Sequence, residues 1–220
     1  MSKKFLIFDF DGTLVDSMRH WERILPETLA EYNITDISKI NDEMRRLSLL
    51  EFSKFLEERY PVLSEGKPLR QKWADKMEHY YTHDVKLRTN AKEFLDYLKQ
   101  QNKYKFCLAS ATDKPLLTVA LKHFGLYDYF DIILTEKEVG KTKKNPDLYN
   151  ECMKRAGVTP DETVIFEDVV YAIRTARSIN TTICAVFDEA MKRFEDEIKT
   201  LADVCVDDFA TYEKILPYLE

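Results

Sequence analysis

The sequence contains little of what marks linkers, membrane spans or basic binding surfaces. It has 5 glycines and 7 prolines in 220 residues, which predicts few linkers. No apolar run approaches the roughly 20 residues that a membrane-spanning helix needs. No signal peptide is visible at the N-terminus, so we expect a cytoplasmic protein that does not contact a membrane. The formal net charge of −6 argues against a nucleic-acid-binding surface.

Cysteine is also scarce. The four cysteines are widely scattered, lie among apolar neighbours and lack metal-ligand spacing. We therefore expect reduced core thiols, as is usual in the cytosol. They are Cys107, Cys152, Cys184 and Cys205.

The remaining composition is that of a globular protein. Hydrophobic residues make up 45% of the chain and charged residues 33%, which excludes disorder. A length of 220 residues suits one α/β domain, or such a domain with an insert.

The first strand and the turn that follows it carry two carboxylates. The apolar run Phe5–Phe8 is typical of a strand buried on both faces of a parallel sheet. Asp9 and Asp11 follow two residues apart, so on an extended chain they point the same way. Gly12 allows a sharp turn, and Thr13 adds a hydroxyl. Like charges this close repel unless a cation or a proton relieves them, which indicates a metal-assisted site.

From Met18 to about Lys86 the pattern is helical, and no convincing strand is present. We interpret residues 17–86 as an inserted helical domain. Residues 1–16 and 87–220 would form the α/β core. The predicted helices of the insert are His20–Tyr32, Asn41–Leu47, Leu50–Arg59 and Pro68–Tyr81.

After Leu87 strands and helices alternate, which predicts a Rossmann-like parallel sheet flanked by helices. The predicted strands are Tyr104–Ala109, Ile132–Thr135, Thr163–Phe166, Thr182–Phe187 and Val204–Val206. The predicted helices are Asn90–Gln101, Lys114–Phe124, Asp147–Ala156, Tyr171–Ser178, Glu189–Thr200 and Ala210–Leu219, with a charged loop over Glu136–Asn145. Ligands of such sheets bind beyond the carboxyl ends of the strands, where the polar residues of this sequence fall.

Four motifs follow one another along the chain: Asp9-Phe10-Asp11-Gly12-Thr13, Ser110 after an apolar strand, a lysine in Gly140–Tyr149, and Glu167-Asp168 after the strand at Val164. In order and spacing they resemble those of the haloacid dehalogenase superfamily of aspartate-nucleophile phosphotransferases. The similarity extends from Lys4 to about Asn180, and four ordered motifs are a strong signal. The helical insert matches a subgroup with an all-helical cap, similar to phosphoglycolate phosphatase and β-phosphoglucomutase.

The resemblance implies a Mg²⁺-dependent phosphatase acting on a small phosphorylated metabolite. Asp9 would attack phosphorus to form an aspartyl-phosphate, and Asp11 would serve as general acid and then base. Asp9, the backbone carbonyl of Asp11, and Asp168 would hold Mg²⁺, with Glu167 supporting these ligands.

The substrate phosphate would be bound by Ser110, Ala111, Thr13 and a lysine. Lys141, Lys143 and Lys144 share one loop, and the family spacing Lys-x-x-Pro-Asp selects Lys143, three residues before Pro146. For Lys141 and Lys144 a solvated basic loop is the favoured interpretation.

The fourth motif departs from the family pattern. Relatives commonly continue Glu-Asp-Ser-x-x-Gly, whereas this chain has Val169 and Ala172 at those two positions. Both carboxylates of the motif are present. Because Val169 replaces the serine, a hydroxyl near the metal is missing, which could weaken metal affinity.

Several candidate site residues also have a purely structural interpretation. Ser110 could be an ordinary cap of the helix at Lys114, and Asp16 and Ser17 could cap the first helix of the insert and act as its hinge. His79 and His83 have metal-compatible spacing but no evident third ligand, which disfavours a site there.

Cap residues near the hinge could face the substrate. Arg19, His20 and Trp21 could contact the substrate. In the alternative interpretation, Trp21 lies in the core of the cap and Arg19 is a surface charge. The two interpretations carry equal weight. Arg45 and Arg46 could hold an anion, although a solvated face is favoured.

Three other functions compete with hydrolysis of a phosphate ester. A phosphosugar mutase would need to grip a second phosphate, where the family tends to place a lysine three residues after Ser110. Asp113 occupies that position, beside Lys114, and this favours hydrolysis. A non-catalytic binding or scaffold protein on the same fold is disfavoured by the complete set of catalytic residue types. A true dehalogenase would need neither Asp11 nor the metal carboxylates.

Overall fold

A computed structural model describes residues 3–34 and 49–220 of the chain. The predicted helix Asn41–Leu47, with Arg45 and Arg46, lies outside these residues. The chain divides into two compact units, one formed by Met1–Met18 and Val85–Glu220 and the other by Arg19–Asp84. No helix in the described part is long and apolar enough to cross a membrane.

The first unit is built on a six-stranded, fully parallel sheet in the order β3-β2-β1-β4-β5-β6. The predicted Rossmann-like fold class is confirmed. The strands are β1 (Phe5–Phe8), β2 (Lys105–Ser110), β3 (Ile132–Thr135), β4 (Thr163–Glu167), β5 (Thr182–Val186) and β6 (Val204–Val206).

Strand β1 occupies the middle of the sheet because its four side chains are apolar, so none loses hydrogen bonds to water when it is buried. Phe5 pairs in register with Lys105 of β2 and with Thr163 of β4. The Phe8 ring stacks on Phe166 with centroids 4.3 Å apart. All four β1 residues are fully buried, which a central parallel strand covered by helices on both faces requires. The chain therefore leaves β1 at Asp9 in the buried middle of the sheet.

Helices cover the sheet of the first unit. They are α4 (Ala91–Gln100), α5 (Lys114–His123), α6 (Glu136–Val139), α7 (Asp147–Ala156), α8 (Val170–Ser178) and α9 (Glu195–Leu201). Short 3-10 helices span Tyr127–Tyr129, Pro160–Glu162, Glu189–Phe194, Phe209–Lys214 and Leu216–Tyr218. The apolar faces of the α-helices pack on the sheet, and the cysteines are free thiols, with Cys107, Cys152 and Cys184 buried and Cys205 half-buried.

The sequence prediction was wrong at three places in this unit. The expected helix Glu189–Thr200 begins as a 3-10 helix and becomes α-helical at Glu195. The expected helix Ala210–Leu219 is two 3-10 helices, closed by bonds such as Tyr218 N–H to the Ile215 carbonyl at 2.9 Å. Apolar residues three or four apart fit both helix types, so periodicity alone could not separate them. The expected charged loop contains α6, begun by a capping box at Thr135.

The second unit is helical in its described part. It contains α1 (Met18–Glu31, whose first residue belongs to the first unit), α2 (Leu49–Arg59), α3 (Leu69–His83) and a 3-10 turn at Pro61–Ser64. Its core buries Leu56, Trp73 and Met77, and the Trp73 indole donates to the Thr28 hydroxyl at 3.1 Å. Trp21 is only half-buried, because the buried face of α1 runs through His20, Ile24, Leu25, Thr28 and Leu29.

Candidate active site

The carboxyl ends of the three central strands bring the predicted polar residues to one edge of the sheet. Asp9 follows β1, Ser110 ends β2, and Glu167 ends β4 with Asp168 directly after it. Since β1 lies between β2 and β4, these side chains come from adjacent positions along the edge. All four residues are buried.

A buried ionic cluster forms around Lys143. Its ammonium contacts the Asp9 carboxylate at 2.5 Å and also the Glu167 carboxylate. The Lys143 side chain is 2% exposed and that of Glu167 is 0% exposed, so water contributes almost nothing to their solvation. Glu167 additionally accepts a hydrogen bond from the Tyr149 hydroxyl at 2.7 Å. Direct partners replace the lost solvent, as buried charges require.

The structure distinguishes the three lysines of the motif-three loop. Lys141 and Lys144 are exposed, and the Lys144 ammonium lies over the Tyr171 ring, 5.8 Å from its centroid. Lys143 is turned inward, and its backbone N–H donates to the Glu136 carboxylate at 2.6 Å. The lysine that reaches the strand ends is thus the one that the family spacing selects.

Three carboxylates could hold a metal ion. Asp9, Glu167 and Asp168 each offer one oxygen atom, and these atoms lie within 4.8 Å of one another. This is the one group of three potential ligands found in residues 3–34 and 49–220. Oε2 of Glu167 is buried and has no hydrogen-bond partner among the described residues. Crowded carboxylate oxygens with an unsatisfied buried atom fit a hard divalent cation such as Mg²⁺.

The electrostatics of the cluster fit the same cation. Burial raises the pKa of Asp9 to about 8, with Lys143 opposing the shift and Glu167 and Asp11 reinforcing it. Burial and the neighbouring charges of Asp9 and Glu167 raise the pKa of Asp168 well above its ordinary value. Burial by itself would lower the pKa of Lys143, but Asp9 and Glu167 raise it above the ordinary lysine value. One buried cation thus faces three carboxylates, and a second positive charge would relieve the remaining repulsion.

Asp11 is held separately from the three carboxylates. Its Oδ1 accepts a hydrogen bond from the Ser17 hydroxyl at 2.6 Å, and its Oδ2 accepts one from the Thr112 hydroxyl at 2.8 Å. The Asp11 side chain is not part of the potential metal-ligand group. The two aspartates of the first motif therefore have different surroundings, one among charges and the other among hydroxyls.

The predicted phosphate-binding residues lie around the same edge. Ser110 is fully buried, and its Oγ accepts the Thr112 backbone N–H at 3.0 Å, which leaves the hydroxyl proton available for donation. Ala111 is exposed. Thr13 is fully buried, and its hydroxyl lies 3.4 Å from Oδ1 of Asp168.

The turn after Asp11 passes close to Asp168, and only glycine fits there. Gly12 has φ +85°, and a Cβ atom at this position would lie 2.3 Å from Oδ2 of Asp168. A side chain at position 12 would therefore be strained in its backbone and would collide with a potential metal ligand.

The structure bears on several of the plainer alternatives. Helix α5 is preceded by Asp113 as its N-cap, so Ser110 is not its cap. The Ser17 hydroxyl donates to Asp11. His79 and His83 are both exposed on α3 and stack with ring centroids 4.3 Å apart, and neither belongs to the acidic group above.

The altered positions of the fourth motif lie at helix α8. Val169 is its N-cap and makes no side-chain cap hydrogen bond. Ala172 is fully buried, so a small side chain is retained where relatives commonly have glycine.

Sequence reasoning missed four residues that fix the site. Tyr149 binds Glu167, Thr112 binds Asp11, Glu136 binds the Lys143 backbone, and the Arg88 guanidinium donates to the Gly12 carbonyl at 3.0 Å. Tyr149 and Thr112 stand inside the quoted motifs, where their hydroxyls were a usable signal. Arg88 had no local signal, because its partners Gly12 and Asp188 are 76 and 100 residues away in sequence. Glu136 precedes Lys143 by seven residues but lies outside the quoted motifs.

Comparison with known proteins identifies the family. The model of the haloacid dehalogenase-like hydrolase family matches residues 6–186. The chain is 31% identical over 172 residues to YhcW of Bacillus subtilis, covering 76% of each chain. It is 24% identical over 181 residues to the fructose-1-phosphate phosphatase YqaB of Escherichia coli, covering 79% of this chain and 90% of that protein.

A solved structure repeats the fold. A HAD hydrolase of family IA, variant 3, from Entamoeba histolytica matches with a TM-score of 0.77 and 23% identity, covering 98% of this chain and 99% of that one. At this identity the match shows the fold, while the family model and the curated relatives show the relationship and support a phosphohydrolase. The chain belongs to the haloacid dehalogenase-like hydrolases.

Proposed function

We propose that this phosphohydrolase is a Mg²⁺-dependent phosphatase that hydrolyses a small-metabolite phosphate monoester through an aspartyl-phosphate. The main support is the position of Asp9, whose buried carboxylate lies at the end of the central strand and 2.5 Å from the Lys143 ammonium. Asp168 and Glu167 complete the acidic group around it. A structural role alone does not explain why three carboxylates share so small a buried volume.

Asp9, Asp168 and the backbone carbonyl of Asp11 would hold Mg²⁺, with Glu167 adjoining them. When bound, the cation supplies positive charge that offsets the repulsion between the Asp9 carboxylate and an anionic phosphate. It would also favour the ionised form of Asp9, whose pKa burial raises to about 8 in the metal-free protein.

Asp9 is the proposed nucleophile. Its carboxylate oxygen attacks phosphorus, the bond from phosphorus to the ester oxygen breaks, and an aspartyl-phosphate forms. Lys143 orients Asp9 and adds positive charge beside the transferring phosphoryl group. Ser110 donates its hydroxyl proton to a phosphoryl oxygen, and Thr13 and the Ala111 backbone N–H would bind the same group.

Asp11 handles the proton in both half-reactions. In its acid form it protonates the departing alcohol, and as a carboxylate it then accepts a proton from the water that attacks the aspartyl-phosphate. That second attack releases phosphate and restores Asp9. The hydrogen bonds from Ser17 and Thr112 support this role, because they fix both carboxylate oxygens of Asp11.

The proposed substrate class is a phosphorylated sugar or similar metabolite, since the relative YqaB is named a fructose-1-phosphate phosphatase. The helical unit Arg19–Asp84 is the proposed cap, in which specificity would lie. A mutase would need a second phosphate site. Lys114 donates to the Ile133 carbonyl at 2.5 Å, and Asp113 contacts Lys137 at 3.4 Å, which supports hydrolysis instead.

The test is phosphate release from a panel of sugar phosphates, nucleotides and phosphoglycolate, with and without Mg²⁺. We expect release from at least one small ester, and its loss in EDTA with recovery on adding Mg²⁺. Conversion of a hexose 1-phosphate to the 6-phosphate without phosphate release would indicate a mutase. Full activity in EDTA would contradict the metal dependence, and no turnover of any ester would favour a scaffold protein.

A further inference from the structure

A largely buried ion pair outside the four motifs contacts the turn that carries the first motif. The Arg88 guanidinium pairs with the Asp188 carboxylate, and the two side chains are 14% and 7% exposed. Through its Nε, Arg88 also donates to the Gly12 carbonyl at 3.0 Å. Asp188 is fixed in turn, since its Oδ1 accepts the Ala190 backbone N–H at 2.9 Å. Arg88 therefore links the loop after β5 to the turn after β1.

The turn that Arg88 holds has little freedom to shift. Gly12 N–H donates to the Val15 carbonyl at 2.9 Å, and the Arg88 backbone N–H donates to the Leu14 carbonyl at 2.9 Å. On its other side Gly12 lies against the Asp168 carboxylate, as the 2.3 Å approach of a Cβ atom shows. A displacement of this turn would change the separation between the Asp9–Asp11 backbone and Asp168.

We propose that Arg88, anchored by Asp188, is a positioning residue that holds the Gly12 carbonyl and thereby sets the spacing between the Asp9–Asp11 backbone and Asp168. The role needs a guanidinium, because its planar fork donates to a carbonyl and a carboxylate at the same time. The inference rests on the proposed function, since the spacing that Arg88 sets is that of the carboxylates proposed to bind Mg²⁺.

A second, more exposed arginine of the same unit provides the control, with side chains of 38% and 31% exposure in its ion pair. The Arg177 guanidinium donates to the Leu201 carbonyl at 2.7 Å and pairs with Asp203 at 3.0 Å. It makes the same kinds of contact as Arg88, a backbone carbonyl and an aspartate. It lies at the end of α8, and it contacts none of the proposed catalytic residues.

The experiment is calorimetric titration of the full-length protein with MgCl₂, without substrate, for Arg88→Met and Arg177→Met. We expect Arg88→Met to weaken Mg²⁺ binding by roughly 10- to 100-fold, the range for residues that support metal ligands, and Arg177→Met to leave it within about two-fold. Thermal melting reports how much stability each variant loses. At saturating Mg²⁺, kcat should fall in Arg88→Met while KM for the substrate stays unchanged.

A double variant separates the carbonyl contact from the charge of Asp188. Arg88→Met leaves Asp188 buried without its cation, and adding Asp188→Asn removes that charge. Binding that stays weak in the double variant supports positioning through Gly12, whereas recovery of wild-type affinity would overturn it. If Arg88→Met does not fold, Arg88→Lys retains a charge beside Asp188 without the fork, and a smaller loss of affinity is expected.

The two proposals fail in different ways. A wild-type protein that binds no divalent cation would overturn the metal-dependent function and this inference together. Equal Mg²⁺ affinity in wild type and Arg88→Met, or an equal loss in Arg177→Met, would overturn the inference alone.

Discussion

The sheet unit buries part of its charge, whereas the ion pairs described in the helical unit are partly or fully exposed. In the sheet unit, Lys143 and Glu167 form a contact whose side chains are 2% and 0% exposed. In the helical unit, Lys67 and Asp75 form a pair whose side chains are 48% and 45% exposed. Removing charges from water costs several kcal/mol per ion, whereas exposed pairs contribute about 0–1 kcal/mol. The buried charges are therefore poorly explained by stability and well explained by chemistry.

The largest expected effect is loss of activity on removing the proposed nucleophile. Asp9→Asn should reduce phosphate release by at least about 10³-fold, because an amide cannot form the aspartyl-phosphate. Steady-state phosphate release at saturating Mg²⁺ measures it. Asp75→Asn, which removes a carboxylate from the exposed pair of the helical unit, should retain wild-type activity. Undiminished turnover in Asp9→Asn would refute the nucleophile assignment.

The second-largest effect is expected at Lys143, where a substitution should lower both the activity and the stability of the protein. Lys143→Met should lower kcat by about 10²-fold or more, and it should destabilise the fold by about 3 kcal/mol because the facing carboxylates lose their buried partner. Activity assays and urea denaturation measure the two losses. Lys141→Met, in the same loop but exposed, should change neither, and the reverse result would reassign the catalytic lysine.

A smaller effect is a pH dependence that appears when the metal is removed. Burial raises the pKa of Asp9 from 3.8 to about 8. A carboxyl whose pKa is higher in the folded state stabilises the fold fully below its unfolded pKa, and this contribution is lost as pH rises through about 8. In EDTA, Tm should therefore fall between about pH 4 and about pH 8, by about 2–4 °C for each 1 kcal/mol lost.

Saturating Mg²⁺ should flatten this slope, since the cation favours the ionised carboxylates. Asp9→Asn should remove part of it in EDTA. A Tm that rises over the same range, or a slope that Mg²⁺ does not change, would contradict the assignment.

The smallest effect is expected in the helical unit. The Lys76 and Glu31 side chains, paired at 2.6 Å, are 24% and 55% exposed. Lys76→Met should change the free energy of unfolding by less than about 1 kcal/mol, with activity intact. Urea denaturation measures it, and a loss as large as that of Lys143→Met would erase the contrast between the two units.

Much of the fold followed from the sequence because its signals are local. Phe5–Phe8 is apolar throughout and became the central strand, and Pro146 and Gly157 bracket a helix at the bounds expected. The C-terminal segment failed because its apolar spacing suits two helix types, and Pro217, which lacks an N–H group, lies inside the last 3-10 helix.

The candidate site was predictable only where a motif carried it. The resemblance picked Asp9, Ser110, Lys143 and Asp168, and the structure brings these residues to one edge of the sheet. Their roles in catalysis remain predictions. The pairing of Arg88 with Asp188 could not be predicted, because the two residues are 100 positions apart in sequence and meet only in the folded chain. Tyr149 was read as part of a motif, but its bond to Glu167 depends on how α7 packs on strands β1, β2 and β3.

The sheet order also has a consequence for synthesis on the ribosome. Strand β1 pairs with β2 and β4, and Phe5 meets Lys105 and Thr163 in register. Roughly 100 residues separate β1 from β2, so at about 5–20 residues per second the apolar strand waits on the order of 5–20 s for its earlier neighbour. The wait for β4 is longer still. The apolar strand that precedes Asp9 thus stays unpaired while the chain grows, and this is the period in which binding by a chaperone would best prevent its aggregation.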